Sequence, residues 1–152
     1  MQESFIHKTF EELTKKELYD LMQLRQEIFI VEQDCPYLDA DGLDLDATHL
    51  FFYKSGHMIA YTRILPPGLV YDDMSAIGRV VIASSSRGKG IGRTLMEESM
   101  IVCKRLYPTK NIKISAQEHL KAFYNSLGFN QSGVPYLEDG IPHIAMIYDN
   151  EL

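Results

Sequence analysis

The stretch from Ile77 to Leu106 constrains this chain most, because it dictates a strand, a glycine-rich loop and a helix in immediate succession. Ile77-Gly78-Arg79-Val80-Val81-Ile82 is a short, β-branched apolar run that reads as a buried strand. From Ile91 onward, Leu95, Val102 and Leu106, with Met96 and Cys103 beside them, recur at helical spacing. Glu97, Glu98, Lys104 and Arg105 fall mostly on the other side, which predicts an amphipathic helix. The connection, Ser84-Ser85-Ser86-Arg87-Gly88-Lys89-Gly90, is rich in glycine and carries positive charge with no acid. Glycines let backbone N–H groups approach a ligand, and a helix N-terminus presents unpaired donors with partial positive charge. The loop chemistry indicates an anion, and phosphate first. A glycine-rich turn with no ligand is the alternative.

Spacing narrows the ligand. A Walker A loop needs Gly six residues before its Lys and Ser or Thr directly after it, and Ala83 and Gly90 hold those places. A dinucleotide fingerprint would need its third Gly at Arg93 or Leu95, depending on where it starts. What fits is Arg87-x-x-Gly90-x-Gly92 between strand and helix. This resembles the acetyl-CoA loop of the GNAT superfamily of N-acetyltransferases. Further on, Phe123-Tyr124-Asn125-Ser126-Leu127-Gly128-Phe129 resembles the Phe-Tyr-x-x-x-Gly-Phe motif of that superfamily. The family's Asn, seven residues before the Tyr, is replaced here by Gln117, a longer amide that still donates and accepts. Val31 to Tyr37, Ile77 to Val81, Ser115 to Gln117 and Glu138 to His143 extend the likeness to the ElaA-like subgroup.

The resemblance implies direct transfer of an acetyl group from acetyl-CoA, as co-substrate, to an amine. It implies that the strand before the loop offers backbone groups of Val80, Val81 and Ile82 to the pantetheine arm. It assigns the pyrophosphate to the segment Arg87, Gly88, Lys89, Gly90, Ile91, Gly92 and Arg93, a pantetheine contact to Gln117, and the proton for the departing thiolate to Tyr124. A proton acceptor is left open among Glu32, His119, His143 and water. Two other functions stay open: a catalytically silent acyl-CoA sensor, and a thioester-handling enzyme whose acceptor is not an amine. The fold implied often forms a homodimer through its last strands.

At 152 residues the chain is expected to be one acetyltransferase domain, residues 1–152, with room for a full core. No apolar run approaches the ~20 residues that span a bilayer, and Met1 to Lys8 lacks signal-peptide order. Cys35 and Cys103 show no metal or redox spacing, so reduced thiols in the cytoplasm are expected. A net charge of −6 argues against nucleic acid as a partner. The charge is uneven: residues 1–76 sum to −8 and residues 77–152 to +2. An anionic donor held by the second half and a cationic acceptor near the first would suit that asymmetry, as would accidental solvation charge. The acidic segment Asp34 to Ala47 reads as a long surface loop, either facing the acceptor or simply solvated. It lacks the Gly and Glu placement of an EF-hand, and no metal is expected.

The remaining elements follow from local signals. Ser4 to Phe10 reads as a strand, and Thr14-x-x-Glu17 as a capping box opening a helix that runs to about Glu32. His49–Lys54 and Met58–Leu65 read as strands about the Ser55-Gly56 turn. Ile112–Ala116 reads as a strand, Glu118–Leu127 as a short helix closed by Gly128, and Phe129–Ser132 and His143–Tyr148 as a closing pair. That order predicts an α/β fold with helices on both faces of one sheet. The resemblance further implies a mixed, mostly antiparallel GNAT-type sheet.

Overall fold

The computed structural model describes residues 4–150. The strands are β1 (Phe5–Thr9), β2 (Thr48–Lys54), β3 (His57–Leu65), β4 (Met74–Ile82), β5 (Asn111–Gln117), β6 (Asn130–Glu138) and β7 (Ile141–Tyr148). The helices are α1 (Lys15–Arg25), α2 (Ile91–Leu106) and α3 (Lys121–Ser126). They occur in the order the local signals require. The seven strands form one sheet in the order β1-β2-β3-β4-β5-β7-β6. Every neighbouring pair is antiparallel except β4 and β5.

Period-two alternation sends successive side chains to opposite faces, and here it sorts the core into two layers. Leu50, Ala60 and Ile64 pack with Leu95, Met96, Met100 and Cys103 of α2 and with Tyr124 of α3. Their sequence neighbours Phe51 and Tyr61 pack with Val81 and with Leu21 and Leu24 of α1. The helices therefore cover both faces. The buried side of α2 also includes Ser99, whose hydroxyl is satisfied by Thr62 Oγ1 and the Leu95 carbonyl, each at 2.7 Å. Leu106, counted into the apolar stripe from sequence, lies 43% exposed at the last turn.

Thr14 caps α1 as its sequence requires. Glu17 N donates to Thr14 Oγ1 at 3.0 Å, and Thr14 N donates to Glu17 Oε1 at 2.8 Å. The helical segment does reach Glu32, but residues Gln26–Glu32 are wound as a π-helix. Gln33 N and Cys35 N bond the carbonyls five residues back, Ile28 and Ile30. The closing strands are longer than expected, and β6 is exposed along its whole length. Gly128 ends the α3 segment at φ +100°, where a Cβ would sit 2.9 Å from the Tyr148 ring. Only glycine makes that turn, which drops Phe129 into the core.

The acidic loop divides. Asp39 and Asp44 are buried and Asp41 is paired with them against arginines, while Asp34 and Asp46 stay exposed. Arg25, fully buried on α1, meets Asp39 at 2.9 Å and Asp44 at 2.7 Å. Arg63 of β3 meets Asp41 at 2.8 Å and Asp44 at 3.1 Å. Arg79 of β4 meets Asp39 at 2.8 Å and Asp41 at 3.3 Å. Burial opposes the charge of Arg25, but Asp44 and Asp39 hold its pKa above the ordinary value. Burial likewise pushes Asp44 up, and Arg25 and Arg63 pull it below the usual carboxylate range. His49 completes the layer as a neutral ring. Its Nε2–H donates to the Asp44 carbonyl at 2.9 Å, so Nδ1 accepts from Tyr61 Oη at 2.6 Å.

Among the described residues no helix is long and apolar enough to cross a membrane, and no group of three or more His, Cys, Asp or Glu is placed to hold a metal ion.

Candidate active site

The site begins with a failure of strand pairing. The parallel strands β4 and β5 are in register only from Met74 to Ala76, against Asn111 to Lys113. Beyond that point β5 follows β7, pairing from Ile112–Tyr148 to Gln117–His143. A cleft of about 570 Å³ opens between the parted ends. On its other side β4 is bulged against β3: Gly78 faces Arg63 and Val81 faces Tyr61, so Arg79 and Val80 share the place opposite Thr62. Arg79 takes φ +49°, a left-handed conformation that costs of order 1–3 kcal/mol in a non-glycine residue. The ion pairs to Asp39 and Asp41 and the stack of its guanidinium 5.6 Å above the Tyr37 ring hold it there. The buried charge layer thus fixes the bulge. An isolated Gly within a strand signals such a bulge, and Gly78-Arg79 carries that signal.

Of the residues singled out from sequence, Val80, Val81, Ile82, Arg87, Gly92, Gln117 and Tyr124 line the cleft. Gly88, Lys89, Gly90, Ile91 and Arg93 lie beside it, on the loop and the first turn of α2. Gly88 and Gly90 have φ of +78° and +77°, and no side chain caps the helix that starts after Gly90. Its first amides are left to a ligand or to water. Arg93 turns away from the loop. Its Nη1 donates to Ser126 Oγ at 2.9 Å, tying α2 to α3.

The glycines carry a further message. Eight of the ten sit at positive φ. The other two, Gly78 and Gly92, have no such need, and a Cβ at either would meet nothing within 4 Å. Both line the cleft. No packed neighbour excludes a side chain at either position.

Tyr124 is 6% exposed, and its ring meets Phe123 and Phe129 edge-on, with centroids 5.1 and 6.1 Å away. Burial pushes its pKa up to about 12. Among the described residues no side chain or backbone group hydrogen-bonds its hydroxyl. All three candidate bases also line the cleft, in different states. Glu32 pairs with Arg87 Nη1 at 2.6 Å. His119 is exposed. His143 is buried, with Nδ1 2.7 Å from the Ile141 carbonyl and Nε2 3.5 Å from Glu138 Oε2. In the sequence Ser115 and Glu138 carry only the ElaA-like likeness, without a role, and Tyr136 carries no signal. They join His143 because Asp139-Gly140, at φ +51° and +77°, forms the tight turn that folds β6 onto β7.

A family model described as an acetyltransferase (GNAT) domain matches residues 39–149. The chain belongs to the GNAT acetyltransferase family. Protein ElaA of Escherichia coli K12 is 43% identical over 139 residues, covering 89% of each chain. The crystal structure of Escherichia coli ElaA superposes with a TM-score of 0.91 at 38% identity, covering 97% of this chain and 100% of that one. An acyl-CoA N-acyltransferase from Pseudomonas aeruginosa superposes with a TM-score of 0.90 at 44% identity, covering 95% and 99%. GNAT membership implies an acyl-CoA donor, and the family's site is read on these residues below.

Proposed function

We propose that the protein, as one acetyltransferase domain over residues 1–152, moves an acetyl group from acetyl-CoA to an amine of a small molecule or peptide by direct attack. The observation that carries this is the convergence on one cleft of the parted β4 and β5, the uncapped start of α2 and the unpartnered Tyr124 hydroxyl. The donor fits the residues present: Gly78 and Gly92 leave room along the cleft, and Arg87 and Lys89 supply charge for its phosphates.

Acetyl-CoA would supply the activated thioester. The backbone of Val80, Val81 and Ile82 would hold the pantetheine arm, with Gln117 adding an amide contact. The amides from Arg87 to Arg93 would take the pyrophosphate. A β4 amide at the Arg79–Val80 bulge would stabilise the carbonyl oxygen as it gains negative charge. Tyr124 would give its proton to the departing thiolate. Asp39, Asp41 and Asp44 of the 34–47 loop are already paired, and of the acids in the cleft Glu138 and Asp139 would attract a cationic acceptor. The proposal includes a homodimer along β6, the exposed outer strand.

The decisive measurement is thiol release from acetyl-CoA against polyamines, aminoglycosides, amino acids and peptides with free N-termini. Amine-dependent release with acetylated product is expected. Binding without release favours a silent sensor, release with hydroxyl acceptors alone favours another transferase, and no binding ends the proposal.

A second expectation separates donor binding from folding. Gly92→Ala should leave the melting temperature unchanged or raise it, because Ala is the better helix former by up to ~1 kcal/mol. It should weaken acetyl-CoA at least ~10-fold, a loss of ~1.4 kcal/mol, by filling space at the cleft wall. Calorimetric titration beside a thermal melt checks both, and equal affinity would remove Gly92 from the donor site.

A further inference from the structure

We infer that His143 is the proton acceptor for the incoming amine, with Glu138 as its positioning residue. This rests on the acetyl-transfer reading above. The evidence is a tautomer. The Ile141 carbonyl, 2.7 Å from His143 Nδ1, can only accept, so Nδ1 carries the ring's proton in the neutral form. Nε2 is then a bare lone pair on a buried ring in the cleft wall. Glu138 Oε2 lies 3.5 Å from it, too far for a hydrogen bond and near enough to pair once Nε2 is protonated.

The carboxylate is itself held. Ser115 Oγ donates to Glu138 Oε1 at 3.1 Å, which leaves Ser115 Oγ to accept from Tyr136 Oη at 2.5 Å. Tyr136 also stacks on the imidazole, with centroids 6.3 Å apart. β5, β6 and β7 each contribute, and the Asp139-Gly140 turn closes the set. The other candidates lack this arrangement. Among the described residues Glu32 has a half-exposed pair with Arg87 and no hydrogen bond that orients it when the donor phosphates claim that arginine, and His119 is exposed with no hydrogen bond to choose its tautomer. The remaining ionisable groups around His143 are Asp139 in the turn and Glu118 and His119 on the 3₁₀ turn after β5, with Cys35 across the cleft, its thiol 3.5 Å from the Asp139 carbonyl.

The step balances. The amine nitrogen bonds the acetyl carbon and loses a proton to His143 Nε2, the carbon–sulfur bond breaks, the thiolate takes the Tyr124 proton, and water returns a proton to the Tyr124 phenolate. The imidazolium then pairs with Glu138, which is half exposed and can pass the proton to water.

The test uses acetyl-CoA with spermidine, tobramycin, lysine and a peptide with a free N-terminus. With whichever of these the wild type acetylates, His143→Gln should lower turnover ~10²–10⁴-fold while acetyl-CoA affinity and melting temperature hold. It should lower kcat without raising the KM for acetyl-CoA. Glu138→Gln should lower kcat by a smaller factor at unchanged KM, and Glu138→Asp should restore part of the loss. Full turnover in His143→Gln or in Glu138→Gln overturns the inference and leaves acetyl transfer standing. No transfer by the wild type to any of the four overturns both. Should His143→Gln fail to fold, long-range ¹H–¹⁵N spectra of the wild type decide. A proton on Nδ1 of His143 at neutral pH supports the assignment, and a proton on Nε2 instead sinks it.

Discussion

Tyr124→Phe should lower turnover by ~10²–10⁴-fold, the usual worth of a positioned general acid, with acetyl-CoA affinity and melting temperature nearly unchanged. The two halves of that expectation have separate causes. The ring is held edge-on between Phe123 and Phe129 beneath α2, and phenylalanine reproduces all of that packing. The hydroxyl has no partner to lose among the described residues, so its removal leaves nothing buried and unsatisfied there. What disappears is a proton donor in the cleft wall. Burial alone pushes the Tyr124 pKa up to about 12, which favours the neutral, loaded form of the acid throughout the physiological range. The sign follows: deprotonation of Tyr124 should cause no fall in activity until pH approaches that value, and any alkaline limb well below it belongs to another group. Steady-state thiol release at saturating donor and acceptor checks the first expectation. Turnover equal to wild type would take Tyr124 out of the chemistry.

Asp44→Ala should cost about 3–5 kcal/mol of stability, the typical result of removing one partner from a buried ion pair. For a chain of this size that is a fall of roughly 6–20 °C in melting temperature. The loss is large because of what remains. Arg25, fully buried, and Arg63, nearly so, would both keep their charge with fewer acceptors. An exposed pair such as Arg93–Glu97, at 3.7 Å, should matter by no more than about 0.5 kcal/mol. The same layer makes the fold acid-sensitive. Burial raises Asp41 and Asp44, but Arg63 for Asp41 and Arg25 and Arg63 for Asp44 pull each below its ordinary value. A carboxyl with a lowered folded-state pKa stabilises above its unfolded pKa of about 4 and loses that contribution as pH falls through the folded value. Wild-type melts should therefore drop steeply below about pH 4, and Asp44→Ala should show a shallower drop from a lower start. Parallel acid curves for the two proteins would assign the acid sensitivity elsewhere.

The acidic loop also shows why part of the site was illegible. Asp39, Asp41 and Asp44 lie within six positions of one another, so in sequence they read as a solvated or substrate-facing run. Their partners come from α1, β3 and β4, and no local pattern links Arg25, Arg63 and Arg79 to them. The π-wound turn Gln26–Glu32 had no local marker either, since the apolar periodicity continues through it. Ser115, Tyr136, Glu138 and His143 are separated by up to 28 positions and meet because β7 pairs with β5 on one side and β6 on the other.

By itself the sequence determined the order and type of the elements, the two faces of the sheet, the Thr14 cap and the Arg87-x-x-Gly90-x-Gly92 loop at the start of α2. Each of these depends on residues a few positions apart, where periodicity, capping and backbone freedom act directly. The tertiary structure alone decided that β4 and β5 part after Ala76, that Arg79 is held in a left-handed bulge, and that Asp39, Asp41 and Asp44 are spent on Arg25, Arg63 and Arg79. It also decided that the Ile141 carbonyl meets Nδ1 of His143 and Glu138 lies on the side of Nε2. Those outcomes depend on contacts between distant segments in a low-dielectric interior, where the position of a charge or a proton follows from its neighbours in space.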